Sequence, residues 1–474
     1  MSFLIYPTLI LATAGFAILL VAMLLSLLRL SMRAKSSLFH LTTYIVVFVA
    51  ACLTIFSDRS LSTEFTGTIL FQVTERNPAL RILIPLTSAA ILFLSIDQIV
   101  KFFRREGHLY GPQAKLTLLF LLYWFLSVAS PMLLSAHPYF QHYYIYPMII
   151  GFGALMMSDD ERDNFVATTR NALLAFIALG YLLLLVKPDM AADFSYSQGL
   201  IPGMPRFAGL SPHSTVIAGL TQITMLVLLL KPYLKKHHNT LAWLLCGVTF
   251  VFAQSKTVWI SSIFIGVILY VIRNKESLRA KLWDERKNGF FIAAIMLTMF
   301  FATFITGNLM FGNTSNKLSN FLNSQEGAQL TSMTGRDQIW ELAIARWHSN
   351  PIFGEGAGPP LEMSSAVHAH NQLLDTLMHA GLVGGTGLVL YFLALAYYSF
   401  KYSADSRGVT LAIFLVIAFR SIGEIPLTIK GYGLEFIAQL LLLVLIASYA
   451  GRRTTHPTSN HLVISSRYPC QRSQ

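Results

Sequence analysis

The apolar residues of this chain fall in long continuous blocks rather than in narrow stripes. Blocks of about twenty apolar residues, separated by short polar or charged segments, are typical of transmembrane helices, because a helix of that length crosses the hydrocarbon core of a bilayer. The pattern predicts an all-α, polytopic transmembrane helical bundle of about 12–13 spans. The predicted spans begin near Leu4, Leu41, Ile82, Leu116, Tyr143, Phe165, Ser214, Leu241, Val258, Gly289, Gly381, Val409 and Tyr432.

The composition supports a membrane protein. Hydrophobic residues make up 54% of the 474 residues, charged residues only 12%, and the mean hydropathy is +0.57. A soluble domain carries about a quarter charged residues, so this chain has too few to cover a water-exposed surface. The first block, residues 4–28, is too long for the apolar core of a signal peptide, and no small-residue cleavage site precedes Arg29. We therefore expect it to be a span.

The positive charges predict the orientation. Alternate loops are rich in Lys and Arg, and the positive-inside rule assigns such loops to the cytoplasm. With 13 spans, the N-terminus is then outside and the C-terminus inside. The net charge of +12 thus reflects topology and contact with anionic lipid rather than nucleic-acid binding. The loops assigned to the cytoplasm contain Arg29 to Lys35, Lys101 to Lys115, Lys231 to Lys236, Arg273 to Lys287, and Arg452 and Arg453.

One outer loop is much longer than the others. Residues 307–380 are too polar to span a membrane, and long loops of this kind are usually functional or disordered. Apolar residues from Ile339 to Trp347 recur at helical spacing, and the Asn350-Pro pair ends the predicted helix. The predicted organisation is a transmembrane bundle (1–306), a partly helical periplasmic loop (307–380), C-terminal spans (381–450) and a disordered cytoplasmic tail (451–474).

Several charged residues lie at the outer boundary, where the positive-inside rule does not place them. Arg206 precedes a span, Lys256 interrupts an apolar stretch that must therefore turn there, and Arg336 opens the loop helix. Arg420 and Glu424 flank the outer end of another span. Charged residues at membrane depth are functional candidates, and Arg and Lys suit a diphosphate; each could instead pair with a carboxylate or reach lipid headgroups.

The end of the loop contains the candidate base. His368 and His370 are followed by Asn371 and Asp375, and a neutral imidazole is a good general base near neutral pH. Two histidines separated by one residue can also bind metal, but there is no cysteine, no third histidine and no glutamate at ligand spacing nearby. The three cysteines, Cys52, Cys246 and Cys470, form neither a disulfide framework nor a metal motif. We therefore expect no metal and no cofactor.

These motifs together resemble the O-antigen ligase and exopolysaccharide polymerase superfamily. The similarity is specific from Arg206 to Glu424 and depends on the pairing of Gly-Arg-Asp with His-Ala-His-Asn. The earlier residues match only as a membrane bundle. The motifs are Pro-Arg-Phe-Ala-Gly (205–209), Ser-Lys-Thr (255–257), Gly-Arg-Asp-x-x-Trp (335–340), Asn-Pro-x-x-Gly-x-Gly (350–356), His-Ala-His-Asn-x-x-Leu-Asp (368–375) and Gly-Leu-Val-Gly (381–384).

The resemblance implies a metal-independent, inverting glycosyltransferase in the bacterial inner membrane, with its active site on the periplasmic face. Its donor would be a glycan on undecaprenyl diphosphate, and its acceptor a sugar hydroxyl of a growing glycan or of lipid A-core. Arg206, Lys256 and Arg336 would then bind the diphosphate, although relatives commonly have Arg at the position of Lys256. His370 would be the catalytic base, with Arg336 stabilising the developing charge and His368, Asn371, Asp375, Arg420 and Glu424 supporting them.

Alternatives remain open at this point. The motif pairing favours a polysaccharide polymerase over an O-antigen ligase, and both need the same donor site. A polymerase would work with a flippase and a chain-length regulator. A small-anion transporter is the alternative of another class, but transporters group their charged residues and broken helices at the bilayer midplane, whereas these residues group at the outer boundary.

Overall fold

A computed structural model describes residues 2–34, 36–57, 59–61, 77–105, 109, 111–195, 201, 203–274, 336–356 and 369–455. Over these residues the fold is almost entirely helical, as the apolar pattern predicts. The helices are α1 Ser2–Arg33, α2 Thr42–Ser57, α3 Pro78–Arg104, α4 Gly111–Trp124, α5 Ser130–Leu134, α6 Tyr146–Leu155, α7 Asp159–Val186, α8 Pro188–Ala191, α9 Ser214–Leu230, α10 Lys236–Phe252, α11 Lys256–Arg273, α12 Arg336–Ser349, α13 Gln372–Lys401, α14 Val409–Ser421 and α15 Phe436–Thr455.

The helices agree with the predicted polytopic bundle. Among the described residues, seven helical segments are long and apolar enough to cross a membrane, and three shorter helices, α9, α14 and α15, are also apolar. A helix begins near each predicted span start except the one near Gly289, which lies outside the described residues together with most of the predicted loop 307–380. Helix α4 continues through a π-helical turn, Phe125–Ala129, into α5.

The core of the bundle is built around α15. From Leu440 to Ala447 every apolar side chain of this helix is at most 1% exposed, and the polar Gln439 is also buried. A helix that is apolar on all sides is stable only when other helices surround it. The side-chain nitrogen of Gln439 donates a hydrogen bond to the hydroxyl of Tyr391 in α13 at 3.0 Å, so this buried N–H group is partnered by a second helix.

Helix α7 has a clear N-terminal signal. Ser158 and Glu161 form a capping box, in which each satisfies a backbone N–H group that has no partner within the helix. The carboxylate of Glu161 also accepts from the backbone N–H of Ser37 at 3.1 Å and pairs with Arg105 at 3.0 Å. One buried acidic residue therefore joins the loops before α2, after α3 and before α7.

The basic loops lie together at this end of the bundle. Lys231, after α9, pairs with Asp163 of α7 at 2.9 Å. Arg273, at the end of α11, donates to the backbone carbonyl of Arg407 at 3.3 Å. The loops that the sequence assigns to one side of the membrane are thus neighbours in space. The end where these loops meet is called the basic end below, and the opposite end carries the candidate site.

The only strands among the described residues are two short ones at the opposite end. They are β1 Ala192–Asp193 and β2 Arg206–Phe207, which pair antiparallel, with Ala192 opposite Phe207 and Asp193 opposite Arg206. Gly209 follows with φ +57°, and its Cα lies 3.1 Å from where a Cβ on Gly180 would be. Two glycines therefore let the segment after β2 pack directly on α7.

Candidate active site

The predicted site residues that the structure describes lie at helix ends, at the end of the bundle opposite the basic end. Arg206 precedes α9, Lys256 is the first residue of α11, and Arg336 is the first residue of α12. The apolar stretch around Lys256 does turn, since α10 ends at Phe252. His370 and Asn371 directly precede α13, and Arg420 and Glu424 lie at and after the end of α14. His368 lies outside the described residues.

A break in α13 shapes this end of the protein. Gly381 has φ +60° and ψ −160°, which are not helical angles. A Cβ at this position would lie 2.3 Å from the carbonyl oxygen of Ile352, so only glycine fits. Around the break, the N–H groups of Leu382 and Val383 donate to the carbonyls of Pro351 and Ile352, at 2.8 and 3.1 Å.

The turn formed by residues 350–356 is also held by contacts with the residues of α13 that precede the break. Gly354 has φ +74°, and a Cβ there would lie 2.4 Å from the carbonyl carbon of His379. The N–H groups of Glu355 and Gly356 donate to the carbonyls of Met378 and His379, at 2.8 and 3.0 Å. The Asn-Pro-x-x-Gly-x-Gly and Gly-Leu-Val-Gly motifs, which are separate in the sequence, therefore form one hydrogen-bonded unit.

Helix α12 packs on the segment that carries the candidate base. The indole of Trp340 donates to the backbone carbonyl of Ala369 at 2.9 Å. Ala343, Ala369 and Met378 form a small buried apolar cluster. Arg336 begins α12 one helical turn before Trp340, so the Gly-Arg-Asp-x-x-Trp motif and the His-Ala-His-Asn motif are joined through Trp340.

His370 is held in an uncommon backbone conformation. Its φ is +48°, in the left-handed region that residues with a Cβ adopt rarely and that often marks a functional segment. Asn371 caps α13: its side-chain oxygen accepts from the N–H groups of Leu373 and Leu374 at 3.0 and 3.1 Å. Its side-chain nitrogen donates to the carbonyl of Ile422 at 3.1 Å. In this structure Asn371 therefore fixes the backbone beside His370.

Glu424 is the acidic group beside the His370 ring among the residues that the structure describes. Its Oε2 lies 3.7 Å from Nδ1 of His370, slightly beyond hydrogen-bond distance, and the His370 side chain is 44% exposed. Both residues line a cavity of about 580 Å³. The cavity is lined by both apolar and polar residues. Its apolar wall includes Ala50, Leu53, Val216, Ile425 and Leu434.

Asp375 interacts with other residues. Its Oδ2 lies 3.4 Å from Nδ1 of His379, one helical turn further along α13, and 3.9 Å from Nζ of Lys430. Burial lowers the pKa of Lys430, and the carboxylate of Asp375 partly offsets this shift. Asp375 and Lys430 both line the cavity, so an adjacent carboxylate and ammonium group form part of its wall.

Arg206 and Lys256 form a pair of cations beside the cavity rather than in its wall. The positive charges of the two side chains lie within electrostatic reach of one another. Nε of Arg206 donates to the carbonyl of Ala253 at 3.5 Å, which joins β2 to the turn between α10 and α11. Two like charges at a helix N-terminus favour binding of an anion.

Arg420 is too deeply buried to contact a substrate. It is 4% exposed and forms a 2.5 Å ion pair with Glu435. A Cβ on Gly219 would lie 3.0 Å from its guanidinium carbon, so the group packs flat on α9. Arg420 therefore joins α9, α14 and the start of α15, while its partner Glu435 lines the cavity.

The sequence reasoning missed His213, which lies within electrostatic reach of both the cavity residue Glu424 and the cation Arg206. It is the residue before α9, and its ring interacts electrostatically with Glu424, Arg206, Arg59 and His370. The surrounding protein desolvates the ring and lowers the pKa of His213; the cations add to this effect and Glu424 opposes it. The available signal was its position directly after the Pro-Arg-Phe-Ala-Gly motif.

Arg59 was also missed. It is 5% exposed and donates to the carbonyls of Met190, Gly209 and Pro212 at 3.0–3.2 Å. Burial lowers the pKa of Arg59 to about 10, so the group is charged at neutral pH. It joins the end of α2 to the segments before and after β2 and forms part of the cavity wall. A charged residue at the outer end of a predicted span was the signal.

Within the ranges that the structure describes, no three His, Cys, Asp or Glu side chains group as metal ligands would. Because His368 lies outside those ranges, metal independence stays a prediction.

Comparison with protein families gives one match. Residues 240–389 match the model of a family described as O-antigen ligase. The matched segment runs from α10 into α13 and contains Lys256, Arg336 and His370, while Arg206 and Glu424 lie outside it. No curated protein matches the chain significantly. The match confirms the resemblance to the O-antigen ligase/polymerase superfamily over this segment, and the spanning helices indicate a multi-pass membrane protein.

Proposed function

We propose that the protein is a polysaccharide polymerase: it transfers an undecaprenyl-diphosphate-linked glycan to a sugar hydroxyl at the periplasmic face of the inner membrane. The observation that carries this proposal is the placement of His370. Its ring lies 3.7 Å from Glu424 and faces a cavity beside the Arg206 and Lys256 pair. A base, a carboxylate and an anion site thus meet at one end of a membrane bundle.

The charges support a division of the site into two regions. Two cations at the cavity are paired with carboxylates: Lys430 in its wall with Asp375, and Arg420 behind the wall with Glu435. A third, Arg59, donates to three backbone carbonyls. Such a cavity does not attract a diphosphate, but carboxylates and amphipathic walls suit the hydroxyl groups of an uncharged sugar. The donor diphosphate binds instead at Arg206 and Lys256, and the acceptor sugar occupies the cavity.

The transfer step then uses few groups. The acceptor hydroxyl oxygen attacks the anomeric carbon of the donor glycan, and His370 takes the hydroxyl proton. The bond from the anomeric carbon to the diphosphate oxygen breaks, and the diphosphate leaves with the electron pair. Arg206, Lys256 and Arg336 stabilise the charge on the leaving group. Attack from the face opposite the leaving group inverts the anomeric centre.

Glu424 and His213 have supporting roles in this step. The carboxylate of Glu424 stabilises the imidazolium that forms on His370 when it takes the proton. His213, whose pKa is lowered, stays neutral near neutral pH and lies within electrostatic reach of both Glu424 and Arg206. Asn371 keeps His370 in place by capping α13.

The distribution of basic residues supports a periplasmic site. The positive-inside rule places the basic end, where Lys231, Arg273 and Arg407 lie, in the cytoplasm. The candidate site lies at the opposite end and therefore faces the periplasm, where lipid-linked glycans are presented. A reporter that is active only in the periplasm, fused after Ser349, tests this orientation; activity of a cytoplasmic reporter there would contradict it.

The activity itself is tested by reconstitution. The full-length chain in liposomes is given an undecaprenyl-diphosphate-linked repeat unit, alone or with lipid A-core. A ladder of glycan lengths without lipid A-core supports a polymerase with another glycan as acceptor. One-step transfer only to lipid A-core would identify a ligase. Activity that a chelator abolishes would contradict the metal-free mechanism, and no transfer to either acceptor would contradict the proposed function.

A further inference from the structure

Gln254 is an unusual residue in the turn between α10 and α11. Its side chain is buried, and its backbone φ is +48°, in the left-handed region. Glycine and asparagine adopt that region more readily than glutamine does. A buried glutamine at such a position requires partners for both atoms of its amide.

The partners all belong to the segment that leads into β2. The side-chain nitrogen of Gln254 donates to the carbonyls of Met204 and Pro205, at 2.8 and 3.4 Å. The side-chain oxygen accepts from the N–H group of Ile201 at 3.3 Å. The side-chain amide of Gln254 therefore holds the chain segment directly before Arg206. Neither a carboxylate nor an apolar side chain can both donate and accept hydrogen bonds in this way.

The same turn places the second cation. Lys256 begins α11 two residues after Gln254, and Arg206 donates to the carbonyl of Ala253, the residue before it. The spacing between Arg206 and Lys256 thus depends on how the β2 segment is attached to this turn. Two cations repel one another, so fixed attachment is needed to keep both aimed at one anion.

We propose that Gln254 is the positioning residue of the donor site: its side chain holds Arg206 beside Lys256 so that the two bind one diphosphate group. This inference rests on the proposed function and assigns a role to a residue that does not itself touch substrate. The dependence is geometric, because a fork-like contact of arginine with phosphate oxygens is lost when the group moves by about an ångström.

The test uses the full-length protein in nanodiscs with undecaprenyl diphosphate as the probe and isothermal calorimetry as the measurement. Gln254→Asn keeps an amide and tolerates the left-handed backbone, but is one methylene too short to reach the β2 segment. We expect it to weaken the affinity about tenfold or more. Gln254→Glu keeps the length but loses both donated hydrogen bonds, and we expect a similar loss.

The matched control is Gln222→Asn. Gln222 is also buried and donates to the hydroxyls of Ser261 and Ser262, which joins α9 to α11 away from the β2 segment. We expect this variant to bind undecaprenyl diphosphate normally even if its thermal midpoint falls. In transfer assays Gln254→Asn should raise the KM for the donor more than it lowers kcat, because His370 is unchanged and the displaced Arg206 acts on both donor binding and the leaving group.

The outcomes separate the inference from the proposed function. Wild-type protein that does not bind undecaprenyl diphosphate would contradict the proposed function. Wild-type binding with equal affinity in folded Gln254→Asn protein would overturn only the role of Gln254. If that variant does not fold, Gln254→Gly relieves the backbone and still removes the side chain, and normal affinity in the glycine variant would overturn the inference.

Discussion

The cation pair and the cavity lie at the same end of the bundle but differ in how their charges are arranged. Arg206 and Lys256 are two cations within electrostatic reach of each other, fixed to one turn. The cavity contains Lys430 beside Asp375, and His370 beside Glu424. One region is suited to bind an anion, and the other to bind hydroxyl groups and accept a proton. The difference indicates that donor binding and acceptor activation can be changed separately.

The largest expected effect is on the rate of glycan transfer when His370, in the cavity wall, is replaced. His370→Gln removes the base but keeps a polar side chain, so transfer should slow by about 10²–10⁴-fold. Donor affinity should stay near the wild-type value. The rate is measured with saturating undecaprenyl-diphosphate-linked repeat unit, and donor binding by thermal stabilisation. His142→Gln, an exposed histidine at the same end of the bundle, is the control and should be fully active. Normal turnover with weak donor binding would instead make His370 a diphosphate ligand.

The second prediction concerns the cation pair. Arg206→Gln and Lys256→Gln each remove a charged hydrogen-bond donor, a change that typically corresponds to about 1.5–3 kcal/mol. The Kd for undecaprenyl diphosphate should rise roughly ten- to a hundredfold, and the rate at saturating donor should change less. Arg273→Gln at the basic end is the control and should bind normally. Unchanged affinity in both site variants would mean that the pair does not bind the donor.

A smaller effect is expected for Glu424. Glu424→Gln removes the charge that stabilises protonated His370, so the rate should fall by about tenfold. Glu341→Gln serves as the control, because Glu341 is an exposed residue of α12 that follows Trp340. A transfer rate equal to that of the wild type would exclude Glu424 from this role.

The smallest expected effect is the pH dependence of stability at His213. Because the pKa of His213 is lowered in the folded protein, the unfolded chain binds the proton more tightly. Stability should therefore fall as pH drops below the ordinary pKa of an imidazole. His213→Asn lacks this proton and should lose less of its thermal midpoint between neutral and mildly acidic pH. An equal loss in both proteins would contradict the assigned environment of His213.

The sequence was sufficient for the helical architecture because transmembrane segments are encoded locally, by length and hydropathy. The helix of the loop and the turn at Lys256 were also predictable, since Asn350-Pro and Ser255-Lys are local signals. The pairing of the two glycine motifs was not, because Gly354 and Gly381 meet only when the turn docks into the break in α13. The sequence separation of Gly354 and Gly381 does not predict that contact.

The candidate site was predictable as a list of residues but not as an arrangement. Asp375 was expected to support His370, yet it lies beside His379 and Lys430, and Glu424 is nearer to the ring of His370. Asn371 proved to be a helix cap. These partners are brought together by the ends of α13 and α14 and the loop before α15, so sequence distance gave no guide. Lys430 was missed because one lysine in a polar loop has no distinctive pattern.

The most direct test is a double-variant cycle on Arg206 and His370. Donor Kd and saturated transfer rate are measured for wild type, Arg206→Gln, His370→Gln and the double variant. If donor binding and acceptor activation are separate, Arg206→Gln changes mainly Kd, His370→Gln changes mainly the rate, and the double variant carries both losses undiminished. If His370→Gln weakens donor binding as much as Arg206→Gln does, and the double variant binds no worse than either, the two residues hold the same group and the division of the site is wrong.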